Sequence, residues 1–319
     1  MRRASNTTLV LTLILASGCT SPSIIVETAE PPHRAGGQCR MYIVNVDGSS
    51  TPLATLDRPS LAIACEPYGT AVARAVNVDG TPWVQIFSLD TGTVTSSYKL
   101  SDTSSVSVEL FWQVPARLIA LSEDKLFVIA PGKKAESTGF AKGIIYAPTT
   151  YKAVLFEPVD VPEKSSLGQH FASPEGLRPL VFNPNGNSYL ALDEAGVLYL
   201  CKFKSGDAKR LAAEVPGYGS PRIVSACYSA DGRTFFVTAA LGNRMGFYRG
   251  QTSGSNPYST LIPVDELGIH QKLDIAGVAG GAVFLVADES EVLRYSSGTK
   301  AVDKIFSTEG KINASCLVP

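Results

Sequence analysis

Charge of one sign, histidine and long apolar runs are all scarce in this sequence of 319 residues. Lys and Arg number 28 against 29 Asp and Glu, and the two signs are interspersed. A nucleic-acid partner is not indicated, because phosphate recognition depends on clustered positive charge. No segment after the N-terminus has the roughly 20 consecutive apolar residues that span a bilayer. Hydrophobic residues still make up 45% of the chain, which is enough for a large core.

The residue patterns that usually carry catalysis or metal binding are also missing. His33, His170 and His270 form neither an HxH nor an HExxH pair, so we expect no histidine metal centre and no catalytic triad. The sequence has no CxxC, no phosphate-binding GxxxxGK[ST] and no calcium loop of alternating aspartates. Three acidic pairs fall where hairpin turns are expected, which favours solvated turn charge over acid–base catalysis: Glu123-Asp124, Asp193-Glu194 and Asp288-Glu289. We therefore expect no cofactor, and an enzyme is the less favoured interpretation.

The N-terminus has the three parts of a secretion signal. Arg2 and Arg3 form a basic region, an apolar run covers 9–16, and small residues precede Cys19. The string LASGC, which ends at Cys19, resembles the lipobox of bacterial lipoproteins. In that family the cysteine thiol receives a diacylglycerol, the signal is cut before the cysteine, and the new amine is acylated, as with palmitate. The resemblance implies lipidation of Cys19, and the alternative is an ordinary secretory signal with Cys19 incidental.

The lipobox resemblance also implies an address and a domain organisation. Thr20 is not the aspartate associated with inner-membrane retention, so the resemblance favours a lipid anchor in the outer membrane, facing the periplasm. We expect a signal peptide at 1–18, a flexible tether at 19–38 and one folded body at 39–319. The tether is rich in proline, glycine and small residues, which is typical of linkers. A short strand at 23–27 is the open alternative within it.

The body repeats one rhythm of strand, glycine turn, strand, turn and strand, which is clearest at 63–92, 180–206 and 225–254. Dipeptides such as Asp79-Gly80 and Asp231-Gly232 favour tight hairpins, because both residues accept a positive φ. The glycines of successive first turns lie 46 and 49 residues apart, at Gly186, Gly232 and Gly281. A unit of about 40–45 residues with four strands is the period of a β-propeller blade.

The two ends of the body favour a closed ring. The C-terminal string INASCLVP resembles the first strand of a unit, and the hairpin that begins with MYIVNV lacks a preceding first strand. We expect a composite closing blade from both ends, since closure removes exposed sheet edges. The fold prediction is an all-β β-propeller with seven blades, and six or eight stay open. The strings NPNG and SADG resemble the SPDG turn of WD-type and TolB-type propeller repeats; a pair of β-sandwiches is the alternative.

Five cysteines remain once the lipobox cysteine is set aside, and an odd number cannot all pair within one chain. The oxidising periplasm permits disulfides. The favoured pair joins Cys39 to Cys316 and would staple the two ends at the composite blade, while Cys65 competes for either partner. Cys201 and Cys227 lie in adjacent units, where they either pair or remain buried free thiols.

One stretch departs from the repeat and is the best candidate for partner binding. Residues 157–176 contain three prolines and two glycines, and long loops on a rigid scaffold often carry binding. We predict His170 and Phe171 as partner contacts, with Trp112 and Trp83 as secondary candidates. The alternative is a degenerate blade with an irregular connection.

Together these features predict a lipid-anchored, periplasm-facing β-propeller that acts as a protein-binding or scaffolding module of an envelope complex. At the level of architecture it resembles the propeller lipoprotein of the outer-membrane β-barrel assembly machinery and the TolB class of periplasmic propellers. The expected partners are the membrane, through the lipid, and other envelope proteins. One alternative is a propeller hydrolase or lyase that acts on glycans or lactones at the central channel. Another is a subunit of a secretion or surface-appendage complex.

Overall fold

The computed structural model describes most of the body and one short stretch before it. The described ranges are 22–29, 38–100, 107–113, 117–130, 132–141, 143–147, 152–156, 169–171, 174–184, 186–203, 205–211, 222–229, 231–252, 261–279 and 281–318. Across these ranges the chain forms 27 strands in seven sheets and one short 3-10 helix at Asp265–Leu267. None of the described helical structure has the length and apolarity needed to cross a membrane.

Five four-stranded sheets are antiparallel meanders of consecutive strands. The first consists of β4–β7, at Ser60–Cys65, Ala71–Val78, Thr81–Ser88 and Val94–Lys99. The second consists of β8–β11, at Val108–Gln113, Arg117–Ser122, Lys125–Ile129 and Glu136–Phe140. The third consists of β15–β18, at Arg178–Phe182, Ser188–Leu192, Leu198–Lys202 and Ala208–Arg210. The fourth consists of β19–β22, at Arg222–Tyr228, Thr234–Leu241, Arg244–Gln251 and Ile262–Pro263. The fifth consists of β23–β26, at Leu273–Ala279, Ala282–Ala287, Glu291–Ser296 and Ala301–Ser307.

A sixth four-stranded sheet joins the two ends of the body. Its order is β27-β1-β2-β3, with strands at Lys311–Val318, Ser23–Ala29, Cys39–Asn45 and Ser50–Leu56. β27 therefore occupies the position of a first strand, and the composite closing blade is confirmed. The first strands contact one another in a closed ring, in the order β27, β4, β8, β12, β15, β19, β23 and back to β27.

The seventh sheet is irregular and corrects the blade count. It has three described strands, β12–β14, at Gly143–Ala147, Lys152–Phe156 and Gln169–Phe171, and β14 runs parallel to β13. Since a tight hairpin cannot connect parallel neighbours, this unit breaks the meander pattern. Among the described residues the β-propeller thus has six four-stranded blades rather than the expected seven, and the irregular sheet supplies β12 to the ring.

The second strands of the blades form the core because they are covered on both faces. β5, β9 and β20 each contain five consecutive buried residues, of which four are apolar and one is polar or charged: Arg74, Ser122 and Thr238, respectively. Outer strands such as β7 and β11 are mostly exposed and carry Ser, Thr and Glu. The glycine rhythm of the sequence marks the turns between these strands; at Asp79-Gly80, for example, both residues have positive φ.

Strand direction defines two faces of the ring. The upper face carries the blade-to-blade connections and the turns between second and third strands, such as Asp79-Gly80. The lower face carries the turns between first and second strands, such as that of Tyr68, and the turns between third and fourth strands. Ser23 pairs with Val318 at the end of β27, so β1 enters the ring at the lower face.

The short strand that was left open at 23–27 within the expected tether is present, as the buried strand β1 at Ser23–Ala29. Ile24, Ile25 and Val26 are each 0% exposed, because β1 is an inner strand between β27 and β2. Glu27 is also fully buried, and its carboxylate accepts hydrogen bonds from the amide of Ser60, at 2.7 Å, and from the Ser60 hydroxyl. This contact ties the composite blade to β4 of the next blade. The signal at 1–18 and the rest of the tether, except 22 and 38, lie outside the described residues.

Candidate functional site

A cavity of about 570 Å³ opens at the upper face, where the channel meets the first strands. β4, β19, β23 and β27 form most of its wall, with apolar residues such as Leu61, Val224 and Ile275. Its charged lining residues are Lys272, Asp274, Glu289 and Lys311. The volume lies within the roughly 300–1,000 Å³ of small-molecule pockets. We call this feature the mouth cavity.

Glu289 is the central charge of the mouth cavity. It lies in the turn between β24 and β25, where Asp288 and Glu289 both have positive φ. Its carboxylate accepts hydrogen bonds from the ammonium groups of Lys272 and Lys311, the latter at 3.0 Å. These two lysines hold the pKa of Glu289 below its usual value, so the carboxylate stays ionised. One carboxylate thereby connects the starts of β23 and β27; with Asp274 also in the lining, the two lysines of the cavity are balanced by two carboxylates.

Asp288 fixes the linker that leads into β23. Its carboxylate accepts hydrogen bonds from the amides of Gln271, at 2.7 Å, and Lys272, at 3.1 Å. The Nδ1 atom of His270 lies 2.9 Å from the same carboxylate, and its Nε2 atom lies 2.8 Å from the carbonyl oxygen of Leu267. A histidine ring satisfies both of these acceptors when both nitrogens carry hydrogen.

This arrangement is suited to binding, because both ring nitrogens of His270 are already engaged by protein groups. Lys272 and Lys311, in contrast, present ammonium groups beside a partly apolar wall and can attract an anionic or polar group. Among the described residues, no group of three or more His, Cys, Asp and Glu side chains is placed to hold a metal ion.

The structure places the two tryptophans in strands rather than in binding loops. Trp112 is 8% exposed on β8, and its indole N–H donates to the carbonyl oxygen of Ala64 at 3.0 Å. It is therefore a core residue between two blades, which corrects its assignment as a partner contact. Trp83 is half-buried on β6, where it pairs with Val76 and Lys99.

The candidate loop at 157–176 is described only in part. His170 and Phe171 belong to β14, where they pair with Leu155 and Phe156 of β13. Residues 157–168 and 172–173 lie outside the described residues. The role of His170 and Phe171 in partner binding stays a prediction.

The register of the composite blade is incompatible with the predicted disulfide between Cys39 and Cys316. Cys39 pairs with Ala29, whereas Cys316 pairs with Ile25 on the other edge of β1. The two cysteines are thus two strands apart, roughly 10 Å, and four residues apart along the strands, roughly 13 Å. A disulfide requires Cα atoms within about 7 Å.

The structure instead brings Cys316 to Cys65, with 3.2 Å between their Sγ atoms. The suggested pair of Cys201 and Cys227 is not brought together. Both are buried free thiols that pack in separate hydrophobic clusters. Burial raises the pKa of both thiols, so both remain protonated and unreactive at neutral pH.

Sequence reasoning missed the mouth cavity because its residues come from three separate places. Lys272 ends a blade-to-blade linker, Glu289 lies in a hairpin turn, and Lys311 begins the last strand. The pair Asp288-Glu289 was placed in a turn, which is confirmed, but its ion pairs depend on how β23 and β27 pack beside that turn. The one available signal was a lysine at the start of two first strands, β23 and β27.

Comparisons with known proteins support the fold. The chain is similar to the structure of a protein assigned as a 6-phosphogluconolactonase from Bacteroides fragilis, with a TM-score of 0.60 and 14% identity over 95% of this chain and 99% of the other. It is also similar to the β-propeller domain of Swd1 from Myceliophteria thermophila, with a TM-score of 0.54 and 17% identity over 80% and 89% of the two chains. TolB from Acinetobacter baumannii gives a TM-score of 0.50 and 13% identity over 95% and 68%.

These similarities confirm a propeller body of the TolB and WD type. At such low identities the similarity concerns the fold alone. No family model and no curated protein matches the sequence.

Proposed function

We propose that this chain is a lipoprotein of the bacterial outer membrane whose β-propeller binds other envelope proteins in the periplasm. The carrying observation is the position of β1. Ser23 is built into the lower face, and only Thr20, Ser21 and Pro22 separate it from Cys19. Four residue steps span at most roughly 14 Å. A lipid on Cys19 would therefore hold the lower face against the membrane.

This attachment would direct the upper face, with its mouth cavity, into the periplasm. Tyr68 supports the same orientation: it is 64% exposed at the lower face, in the blade next to the entry of β1. Tyrosine is favoured at membrane interfaces, since its ring is apolar and its hydroxyl polar. The rigid ring then acts as a scaffold that displays its upper face at a fixed height above the bilayer.

The lipid itself is tested by mass analysis of the N-terminal peptide after detergent extraction. The expected peptide begins at Cys19 and carries the added mass of a diacylglycerol and an acyl chain. A chain cut elsewhere, or an unmodified Cys19, would remove the basis of the proposal. A Cys19→Ala variant should then be absent from the membrane fraction.

The orientation is tested with a photo-crosslinking amino acid placed at Tyr68 or at Ile269 of the membrane-bound chain. Ile269 is 54% exposed on the upper face, so the two positions differ in face but both are accessible. We expect lipid adducts from position 68 and protein adducts from position 269. Recovery of one protein in stoichiometric amount with the untreated chain would support scaffolding. Protein adducts from position 68 alone would contradict the orientation.

A lactone hydrolase is the second candidate, and the mouth cavity is the observation in its favour. Lys272 and Lys311 could hold an anionic substrate, and Glu289 is the carboxylate beside them. Phosphorylated and unphosphorylated lactones are suitable test substrates. If the chain is an enzyme, Glu289→Gln should abolish turnover. The matched control is Glu291→Gln on β25, which removes a carboxylate paired with Lys304 of β26 and should leave turnover unchanged. No turnover by the unmodified chain would count against this candidate.

A further inference from the structure

Two cysteines from opposite ends of the body meet at the seam of the ring. Cys65 is the last residue of β4, and Cys316 lies on β27, 251 positions later in the chain. Their Sγ atoms are 3.2 Å apart. Since β27 and β4 are the first strands of neighbouring blades, the contact crosses from the composite blade to the blade of β4–β7.

The surroundings of the two thiols are apolar. Cys65 and Cys316 pack against a buried cluster that includes Ile25, Met41 and Phe87. The hydrogen-bond partners that the structure gives the Cys316 thiol are the side chain and the backbone of Cys65. Burial and the neighbouring Cys65 raise the pKa of the Cys316 thiol, so its S–H is retained in the reduced form. In that form the two groups share one weak S–H···S contact.

We propose that Cys65 and Cys316 form a disulfide that covalently closes the propeller ring. A disulfide has a sulfur–sulfur distance of about 2.05 Å, so the two atoms must approach by about 1.1 Å. Both residues lie near the lower-face ends of their strands, and Cys65 directly precedes a turn. No other strand lies between β4 and β27 in the ring.

The chemistry requires a disulfide donor as the oxidant, either a small molecule or a protein. The Cys65 thiolate attacks one sulfur of the donor and releases the first donor thiol. The Cys316 thiolate then attacks the Cys65 sulfur of this mixed disulfide, which releases the second donor thiol. The chain loses two protons and two electrons, and the donor gains them. The periplasmic location in our proposed function would supply such a donor, but the geometry of the pair does not depend on the lipid.

The disulfide is tested on the purified full chain by incubation with oxidised glutathione, alkylation of free thiols and digestion with trypsin without reduction. Trypsin places Cys39, Cys65 and Cys316 in three different peptides, 35–40, 41–74 and 312–319. We expect 41–74 and 312–319 to appear as one linked species that separates on reduction. Full alkylation of both peptides after oxidation would overturn the proposal. A link from 35–40 to either peptide would also overturn it.

A second measurement tests closure of the ring in the folded protein. Cross-linking positions so far apart restricts the unfolded chain, so oxidation should raise Tm on the order of 10 °C. The comparison is made between oxidised and reduced forms of each variant, so that the effect of the substitution itself cancels. The redox-dependent shift should vanish in Cys316→Ala and persist in Cys201→Ala, which removes a buried thiol elsewhere. A shift that survives in Cys316→Ala would contradict the assignment.

These experiments separate the disulfide from the proposed function. Linkage in the purified chain together with an unmodified Cys19 would leave the ring closure intact and remove the lipoprotein. Lipidation of Cys19 without a link between Cys65 and Cys316 after oxidation would support the lipoprotein and remove the ring closure.

Discussion

Arg74 is 2% exposed on β5, and its guanidinium is matched by three neighbours. It donates to the Gln85 side chain at 2.9 Å, to the carbonyl oxygen of Arg58 at 3.0 Å and to Asp57 at 3.1 Å. Arg58 and Asp57 belong to the linker between the composite blade and the next blade. The planar guanidinium of Arg74 therefore fixes this linker. The ammonium group of a lysine at this position could not reach all three acceptors.

We expect Arg74→Lys to lower the free energy of unfolding by about 2 kcal/mol. Two bonds from the buried guanidinium to part-buried neutral acceptors are lost or weakened, while the pair with exposed Asp57 contributes little. Urea unfolding followed by circular dichroism measures the change. The matched control is Arg233→Lys in an exposed turn, for which we expect a change within about 0.5 kcal/mol. Equal effects of the two substitutions would contradict the role of Arg74.

Asp288 gives a prediction about pH. Partial burial opposes its ionisation, but hydrogen bonds from His270 and from the Lys272 and Gln271 amides outweigh burial and hold its pKa below the ordinary 3.8. A carboxylate with a depressed pKa in the folded state stabilises the fold above the unfolded-state pKa. This contribution is lost as the pH falls through the folded-state pKa.

The free energy of unfolding of the unmodified chain should therefore exceed that of Asp288→Asn most clearly at about pH 5. The difference should shrink steadily below about pH 4, where the carboxyl of the unmodified chain becomes neutral like the amide. Chemical unfolding at a series of pH values gives this comparison. A difference that stays constant over the whole range would show that ionisation of Asp288 does not contribute.

At the scale of single elements, the turn between β19 and β20 shows how blades lock together. Gly232 has a φ of +66°. Its carbonyl oxygen accepts a hydrogen bond at 2.8 Å from the side-chain amide nitrogen of Asn183, a buried residue of the preceding blade. A Cβ atom at this position would lie 2.3 Å from Asn183 Oδ1. Asn183 cannot easily move away, because its side-chain amide donates a hydrogen bond to the same turn.

Gly242 offers a matched control for this turn. Its φ is +64°, and a Cβ atom there would meet nothing within 4 Å. Both Gly→Ala substitutions impose the same backbone strain, about 1 kcal/mol. We expect Gly232→Ala to cost at least about 1 kcal/mol more than Gly242→Ala in urea unfolding, because it also breaks the contact with Asn183. Equal losses of unfolding free energy in the two variants would mean that Gly232→Ala acts through backbone strain alone and not through the contact with Asn183.

Strands and turns could be predicted from the sequence where the residues that specify them are neighbours in the chain. The hairpins around Asp79-Gly80 and Asp231-Gly232 were predicted from turn dipeptides between apolar strands, and both hairpins are confirmed. Asp79 and Gly80 both have the expected positive φ, whereas at the second turn only Gly232 has it. The unit at 142–176 lacks that rhythm, and its parallel strand β14 could not be foreseen from a hairpin pattern. β1 was assigned to a tether because its neighbours are rich in proline, and its apolar core, IIV, is too short to specify a partner.

At the scale of the whole molecule, closure depends on β1. This strand lies between β27 and β2, so its loss would leave β27 without its partner inside the composite blade. We expect a chain that begins at residue 22 to unfold cooperatively with the same Tm as the full chain. A chain that begins at residue 30 should lose cooperative unfolding or show a Tm lower by more than about 10 °C, because four fully buried side chains are removed, three of them apolar.

Differential scanning calorimetry of the two truncated chains makes this comparison. An unchanged transition for the shorter chain would mean that β1 is dispensable and that the ring closes without it. Loss of the transition in the longer chain would instead show that residues before 22 contribute to the fold.

The sequence by itself determined the all-β class, the propeller rhythm and the composite closing blade, because turn chemistry and strand patterning act over a few residues. It also contains the LASGC string, on which the proposed address of the protein depends. Only the tertiary structure decided that Cys316 meets Cys65 rather than Cys39, and that Lys272, Glu289 and Lys311 form one cluster. The cysteine contact joins positions 251 residues apart and exists only because the last strand closes the ring beside the blade of β4–β7, whereas the charged cluster requires β27 to pack beside the blade of β23–β26.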